Sequence, residues 1–331
     1  MLDSLYFAFN SVASIAALVL LGYLLKRVGF ISADFSKQAN RLVFRLFLPA
    51  MLFLNVYKIN DLGSVNLTYA VYAVVAVACL FLLFIPIVPL VSSDEGQRGA
   101  LLQSVIRSNY ALVGIPLAAS LFGEGGEQVA TVLSAVMIPV FNLLAVVALC
   151  IYRNKSDSLL KRLAAVLLGI VKNPLILSIG AGFAALGIRA VFLRCGVSFR
   201  LGDIEFLMKV LNNLSSVATP LALIILGSQF DFCSVSRNRR QLIFGIAVRS
   251  VIVPIVGLGG AYLLFANRFG GAEFAALVAV FSTPVAVSSV PMAQEMGADS
   301  TLAGQLVVLS TLSCALTVFV ASFIFRQIGV F

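Results

Sequence analysis

The sequence predicts an all-α integral membrane protein, and three observations carry this prediction. The chain has 331 residues, of which 61% are hydrophobic and only 11% are charged, about half the charged share of an ordinary soluble domain. Its apolar runs are about 20 residues long, as helices crossing a hydrocarbon core of about 30 Å require. They show no alternation at strand period. Such a chain has room for about ten spans and no separate soluble domain.

The expected spans are the apolar runs between charged or glycine-rich breaks. They fall at about 5–26, 38–57, 66–91, 99–122, 127–151, 173–193, 205–230, 240–266, 272–296 and 301–326. The first is too long for a signal-peptide core and lacks a basic start and a cleavage site. The longest charged connection, from Arg153 to Arg162, follows the fifth span. It divides the chain into a five-helix repeat over 1–152, a cytoplasmic linker or interfacial segment over 153–172, and a second repeat over 173–331.

Within the linker, residues 158–171 have two interpretations. They form either an interfacial helix leading into Asn173 and Pro174 or an extended first turn of the sixth span. Orientation follows from the 23 lysines and arginines, most of which fall on one side of the expected spans. Because basic residues favour the cytoplasmic side, both termini are expected to face outward. The net charge of +9 then serves orientation and predicts no nucleic-acid partner.

The two halves resemble each other at a low level. Pro49 in the second span recurs as Pro220 in the seventh, and Pro116 in the fourth recurs as Pro291 in the ninth at nearly the same offset along the chain. Because each half has an odd number of spans, the second half enters the membrane upside down relative to the first. The predicted fold is therefore ten transmembrane helices in two inverted five-helix repeats.

Proline interrupts the fourth and ninth spans at matching places. The fourth contains Asn109-Tyr-Ala-Leu-Val-Gly114-Ile-Pro116, and the ninth contains Pro284-Val-Ala-Val-Ser288-Ser289-Val-Pro291. A proline inside a helix removes a backbone donor and clashes one turn back. Counted along each helix from the membrane surface, both interruptions lie near the midplane, so helices 4 and 9 are expected to be broken and to cross there. Half-helix N-termini meeting at a centre favour an anion.

The candidate substrate site is drawn from these two interruptions. Asn109 offers a donor and an acceptor, and hydroxyl groups lie at comparable depth on the ninth span. Alternatively, the hydroxyls only satisfy backbone freed by proline or hold neighbouring helices together. Arg107 could attract the anion, although it and Arg249 could instead snorkel to the interface. The residues assigned to substrate binding are Arg107, Asn109, Gly114, Pro116, Thr283, Pro284, Ser288, Ser289 and Pro291.

For coupling to protons, Glu295 with Gln294 is the best embedded carboxylate, and its alternative is a solvated helix end. Histidine is absent, which removes the commonest metal ligand. The five cysteines are scattered and are interpreted as packing thiols. No metal and no cofactor are expected. The sequence has no phosphate-binding loop and no catalytic triad, so it is not expected to be an enzyme.

The same residues resemble the auxin efflux carrier family, which contains plant auxin exporters and bacterial organic-acid carriers. The resemblance covers nearly the whole chain. It is carried by Leu21-Gly22-Tyr23-Leu24-Leu25-Lys26 through Asn40-Arg41 to Pro49, by Asn109 through Gly114-Ile115-Pro116-Leu117, by Lys172-Asn173-Pro174, and by Pro284 to Pro291 followed by Ala293-Gln294-Glu295.

The resemblance implies a scaffold of spans 1, 2, 6 and 7 and a transport domain in which broken spans 4 and 9 cross. Asn109, Pro116, Pro284 and Pro291 would hold the anion, and transport would be elevator-like. The chain lacks the long cytoplasmic loop of many plant members, so a small carboxylate such as malate or malonate is expected before an auxin. Bacterial relatives imply the inner membrane as the location.

The predicted function is thus secondary transport of a small organic anion across the lipid bilayer. Two other functions remain open from the sequence. An anion channel would use the same crossing as a filter, and a membrane sensor would bind the metabolite without moving it. The sequence also leaves open whether the protein forms a homodimer.

Overall fold

In the computed structural model, which describes residues 2–58, 67–152, 167–196 and 198–331, all regular structure is helical apart from one isolated β-bridge. This confirms the all-helical prediction. Most of the predicted linker, including residues 158–166 of its interfacial segment, lies outside these residues, whereas residues 167–172 are helical and end at the non-helical Asn173. The helices are α1 Leu2–Arg27, α2 Ala33–Tyr57, α3 Leu67–Val91, α4 Glu95–Ile106, α5 Tyr110–Ile151, α6 Pro174–Arg194, α7 Glu205–Gln229, α8 Phe232–Arg237, α9 Arg239–Phe265, α10 Gly271–Phe281, α11 Ser289–Glu295 and α12 Ser300–Gln327.

Seven helices in the described ranges are long and apolar enough to cross a membrane, and they are α2, α3, α5, α6, α7, α9 and α12. The predicted fourth span differs from these because it is split between α4 and the first turns of α5. At Phe122 and Gly123 the backbone of α5 leaves helical geometry, Gly123 with a φ of 61°. This kink falls between the predicted fourth and fifth spans. The predicted ninth span is likewise split, into α10 and α11.

Several helices begin at a polar residue whose side chain accepts a hydrogen bond from the first turn. Ser32 does so for α2, Asp94 for α4, Asn173 for α6 and Asp299 for α12. A cap of this kind satisfies one of the amides that the helix itself leaves unpaired. In α6 the cap is followed by Pro174, whose missing N–H costs nothing at the first helical position.

Within the described ranges three helices contain a π-helical turn, in which the chain accommodates one extra residue per turn. These turns are Val43–Phe47 in α2, Tyr110–Gly114 at the start of α5, and Val248–Ile252 in α9. One of them adjoins the candidate site, because α5 starts directly after Asn109, and another contains the buried Arg249 of α9. Single π turns often occur at functional positions.

The helices pack as two groups. Helix α1 lies against α7, and α2 lies against both α6 and α7. The second group is built around α5, which packs against α4 and α10, while α11 packs against α12. Helix α1 also contacts α12 and α5. The first group contains the spans 1, 2, 6 and 7 that the family resemblance assigns to a scaffold.

Two glycines allow α1 and α7 to approach closely. A Cβ atom added at Gly22 would lie 2.0 Å from the carbonyl oxygen of Ile224, and one added at Gly227 would lie 1.9 Å from that of Val19. Small residues at such positions let helix backbones pack together in a membrane. Because the clashing atoms are backbone, no side-chain movement could relieve them.

We therefore expect Gly227→Ala to lower the melting temperature of the purified protein by about 5 °C or more, as overpacking usually costs about 1–3 kcal/mol. Gly180→Ala is the matched control, because a Cβ atom there would meet nothing within 4 Å. Alanine has the higher helix propensity, so the control is expected to melt at or above the wild-type temperature. Equal melting of the two variants would contradict the close contact.

Candidate functional site

The two interrupted segments lie against each other and are joined through their backbones. The first is the break at residues 107–109 between α4 and α5, and the second is the break at residues 282–288 between α10 and α11. The Asn109 N–H donates to the carbonyl of Pro284 at 2.8 Å, and the Ala286 N–H donates to the carbonyl of Arg107 at 3.0 Å. These bonds flank the antiparallel bridge between Ser108 and Val285.

Side chains reinforce this crossing. The Ser108 and Thr283 hydroxyls share a hydrogen bond, and Thr283 also donates to the carbonyl of Ala279 at 2.8 Å. The amide of Val285 donates to the Ser310 hydroxyl of α12 at 3.0 Å. Since unwound backbone at membrane depth must find partners inside the protein, these bonds explain how both helices remain broken.

The break in the fourth span does not lie where the proline pattern indicated. It precedes α5 at residues 107–109, whereas Pro116 lies within α5, at the start of its α-helical part, and is exposed. There the missing N–H is tolerated because the preceding turn is already π-helical. In the ninth span Pro284 does lie inside the break, but Pro291 lies buried within α11.

A cavity of about 50 Å³ lies where the crossing meets the first group of helices. A volume of this size holds a few water molecules or a single carboxylate group. Both breaks contribute to its lining, as do α2, α5 and α7. The polar lining residues are Asn55, Arg107, Ser108, Asn109, Asn142, Thr219 and Ser288, and the described lining contains no aspartate or glutamate.

Asn109 contributes a donor without a partner to this cavity. The residue is 4% exposed, and its Nδ2 group makes no hydrogen bond within the described structure. Its backbone conformation, φ −78° and ψ 50°, is outside the helical region, and it directly precedes α5. A buried donor left unpaired costs about 1–3 kcal/mol unless a ligand or water accepts from it. The Nδ2 group of Asn109 is therefore suited to donate a hydrogen bond to a ligand that is rich in acceptors.

Arg107 brings a positive charge to the same cavity. The residue is 2% exposed, and its guanidinium donates to the Oδ1 atom of Asn142 at 2.8 Å, to the Ser288 carbonyl at 3.4 Å and to the Met292 sulfur. Asn142 is oriented in turn by donating to the carbonyl of Ile138 at 2.8 Å. The charge is thus held by neutral groups, and it remains available to an anion.

Arg249 is also buried, so neither arginine snorkels to the interface and that alternative is wrong. The residue is 2% exposed, and its guanidinium donates only to backbone carbonyls: to Thr283 at 2.7 and 2.9 Å, to Val280 at 3.2 Å and to Val105 at 3.2 Å. Val105 and Val280 lie in the last turns of α4 and α10. Arg249 therefore connects the C-terminal ends of both broken helices.

The other predicted binding residues divide by location. Ser288 lines the cavity, whereas Thr283 is buried in the crossing itself. Ser289 is buried, and its hydroxyl has no partner within the described structure. Gly114 allows α5 to approach α10, since a Cβ atom there would lie 3.2 Å from the Ala279 carbonyl oxygen. The cavity lining does not include Gly114, Pro116, Pro284 or Pro291.

Glu295 ends α11 and faces α2. It pairs with Arg41 and Arg45, each at 3.6 Å, and its side chain is only 10% exposed while the arginine side chains are 57% and 71% exposed. Beside it, the Oε1 atom of Gln294 is buried without a hydrogen-bond partner in the described structure. The pair lies away from the cavity lining and at the contact between the two groups of helices.

Four polar lining residues were not predicted from the sequence, namely Asn55, Ser108, Asn142 and Thr219. Ser108 lies between Arg107 and Asn109, and each of the other three is a polar residue flanked by apolar residues in a helix. That pattern is equally typical of a polar residue that only joins neighbouring helices. The need of a buried guanidinium for acceptors points to a partner for Arg107, but the sequence does not single out Asn142 among the candidate acceptors.

Comparison with known proteins gives two findings. The model of a family described as "Membrane transport protein" matches residues 7–322, and this confirms the resemblance to the auxin efflux carrier family. The chain is also 25% identical over 310 residues to an "Uncharacterized transporter" of Methanothermobacter thermautotrophicus, covering 92% of this chain and 93% of the relative.

Proposed function

The chain belongs to the membrane transport protein family, and we propose that it is a secondary carrier of a small organic anion, of the malate or malonate type rather than an auxin. The observation that carries the proposal is a half-open cavity at the crossing with one buried guanidinium, one unpaired amide donor and no described carboxylate in its lining. A desolvated guanidinium beside neutral donors favours a carboxylate, which it can bind through two parallel hydrogen bonds.

The N-terminus of α5 adds to this preference. Tyr110, Ala111 and Leu112 form its first turn and line the cavity. The first amides of a helix have no intrahelical partner, and the helix dipole is positive at this end. The anion would therefore meet Arg107 and Asn109 as side-chain ligands and the first turn of α5 as backbone donors.

In this proposal the protein has ten membrane spans in two inverted repeats, over 1–152 and 173–331. It lies in a bacterial inner membrane with both termini outside. Alternating access would be elevator-like, with the second group of helices moving against the first. The location of the cavity supports this, because α2 and α7 form one wall and the broken helices form the other. A cavity of about 50 Å³ would have to open to admit a dicarboxylate.

Proteoliposome uptake is the direct test of the function. Vesicles containing the protein are expected to show saturable uptake and counterflow of at least one labelled small carboxylate from a panel of dicarboxylates, monocarboxylates and aromatic acids. No uptake or binding across the panel, in vesicles where a verified carrier is active, would contradict the proposal. Flux that does not saturate would favour a channel, and binding without counterflow would favour a sensor.

For coupling, we propose that Glu295 carries the proton, with Gln294 as its neighbouring acceptor. Glu295→Gln is expected to abolish the response of uptake to an imposed pH gradient, while anion affinity stays close to that of wild type because Glu295 does not line the cavity. Loss of the ion pairs to these exposed arginines is expected to lower the free energy of unfolding by less than about 1 kcal/mol, so the variant should fold. The matched control is Glu124→Gln, at an exposed position. An unchanged pH response in Glu295→Gln would exclude this role.

A further inference from the structure

The most unusual polar contact outside the cavity is the cluster of backbone oxygens around Arg249. All four of its hydrogen bonds go to carbonyl groups, and those carbonyls come from two different broken helices. In the described part of the chain the two ion pairs both involve Glu295, so no carboxylate pairs with Arg249. A buried arginine without an anionic partner is costly and requires a compensating role.

The carbonyls themselves supply the compensation. The last carbonyls of a helix have no intrahelical partner, and they carry the negative end of the helix dipole. Val105 lies in the last turn of α4 and Val280 in that of α10, and Thr283 follows shortly after α10. Breaking both helices at one crossing therefore concentrates negative potential at one point, and that point requires a cation.

In carriers with discontinuous helices, half-helix C-terminal ends and unwound carbonyls are where coupling cations bind. Here the same arrangement is occupied by a guanidinium that belongs to the chain. The π turn Val248–Ile252 of α9 carries this residue. Its four donated bonds, between 2.7 and 3.2 Å, reach three carbonyl oxygens, and oxygens converging in this way favour a desolvated monovalent cation.

We propose that Arg249 is a built-in substitute for a bound monovalent cation. The wild-type protein then binds its anion without sodium or potassium at the crossing. Removing the guanidinium creates a vacancy that accepts a small planar or spherical monovalent cation from solution. The sodium-independence of anion binding rests on the proposed carrier function, whereas the vacancy is a property of the fold alone.

The test is rescue of thermal stability by guanidinium ion at low millimolar, non-denaturing concentration. Purified Arg249→Ala is expected to melt below wild type and to gain about 3 °C or more in a saturable manner, because a ligand of the folded state stabilises it by mass action. Wild type, whose site is filled, is expected to show no saturable gain. Arg249→Met fills much of the space without charge and is expected to gain nothing. Tetramethylammonium, which is too bulky and has no N–H donor, is the control cation.

Absence of a saturable gain in Arg249→Ala, or an equal gain in wild type or Arg249→Met, would overturn the proposal. If Arg249→Ala cannot be purified in ordinary buffer, recovery of folded protein only when guanidinium is present during extraction supports it. If neither condition yields folded protein, Arg249→Lys decides the question. The lysine ammonium keeps the positive charge, so this variant is expected to fold. Failure to recover folded Arg249→Lys would overturn the proposal.

The dependence of anion binding on sodium is tested separately. Anion-induced thermal shifts of wild type are expected to be equal in sodium, potassium and choline chloride, and a requirement for sodium would overturn the substitution. If no anion shifts the melting of wild type in any of these salts while guanidinium still rescues Arg249→Ala, the carrier function fails and the cation site stands.

Discussion

Replacing Asn109 with alanine is expected to lower the affinity for the anion by about 100-fold, because the charge-assisted hydrogen bonds it would donate contribute about 1.5–3 kcal/mol each. The fold should survive, since the Nδ2 group has no hydrogen-bond partner within the described structure and its removal breaks no hydrogen bond. The backbone N–H that joins Asn109 to Pro284 is kept in the variant.

Affinity can be measured by thermal shift or by equilibrium binding of a labelled carboxylate that the wild type transports. The matched control is Asn267→Ala, which removes an exposed amide and is expected to leave both binding and melting temperature unchanged. Wild-type affinity in Asn109→Ala would remove the central residue from the proposed site.

Replacing Arg107 with glutamine is expected to have a comparable effect on affinity and an additional effect on stability. The charge at the cavity disappears, so binding should weaken by about 100-fold. The Oδ1 atom of Asn142 also loses the guanidinium donor at 2.8 Å, and a buried acceptor left unpaired costs about 1–3 kcal/mol. The melting temperature should therefore fall by several degrees.

A double substitution separates the two effects. Arg107→Gln combined with Asn142→Leu removes both partners of the hydrogen bond, so the Asn142 acceptor is no longer left unpaired, and part of the lost stability is expected to return while affinity stays low. Arg107→Lys keeps the charge and loses the planar pair of donors, so its affinity should lie between those of wild type and Arg107→Gln. Recovery of affinity in the double variant would show that Arg107 acts only through the fold.

The sequence was sufficient for the helical membrane fold, because length and apolar composition of the runs depend on local sequence alone. The meeting of the segments around Asn109 and Pro284 was also predictable, since the order of the spans and the charge distribution placed both segments at similar depth in the membrane. It misplaced the first break by several residues. Proline marks where a helix is weakened, but the break forms where backbone groups find partners, here at Ser108 opposite Val285.

The roles of the two arginines could not be predicted for a related reason. Near a helix end, an arginine can extend to the interface or turn inward, and only the tertiary structure supplies acceptors for the second choice. For Arg249 those acceptors are the carbonyls of Thr283 and Val105, which are distant from it in the sequence. Carbonyl groups are present at every residue, so no sequence pattern could have identified them.

The β-bridge at the crossing has a consequence for how such a protein can diversify. The contacts between Arg107 and Ala286 and between Asn109 and Pro284 use main-chain N–H and C=O groups, which every amino acid except proline provides at both donor positions. Mutation of cavity side chains that take no part in the crossing, such as Asn55 and Thr219, can therefore change the chemistry of the cavity while these two backbone bonds remain. New substrates can be acquired by single substitutions around a junction that does not itself need to be rebuilt.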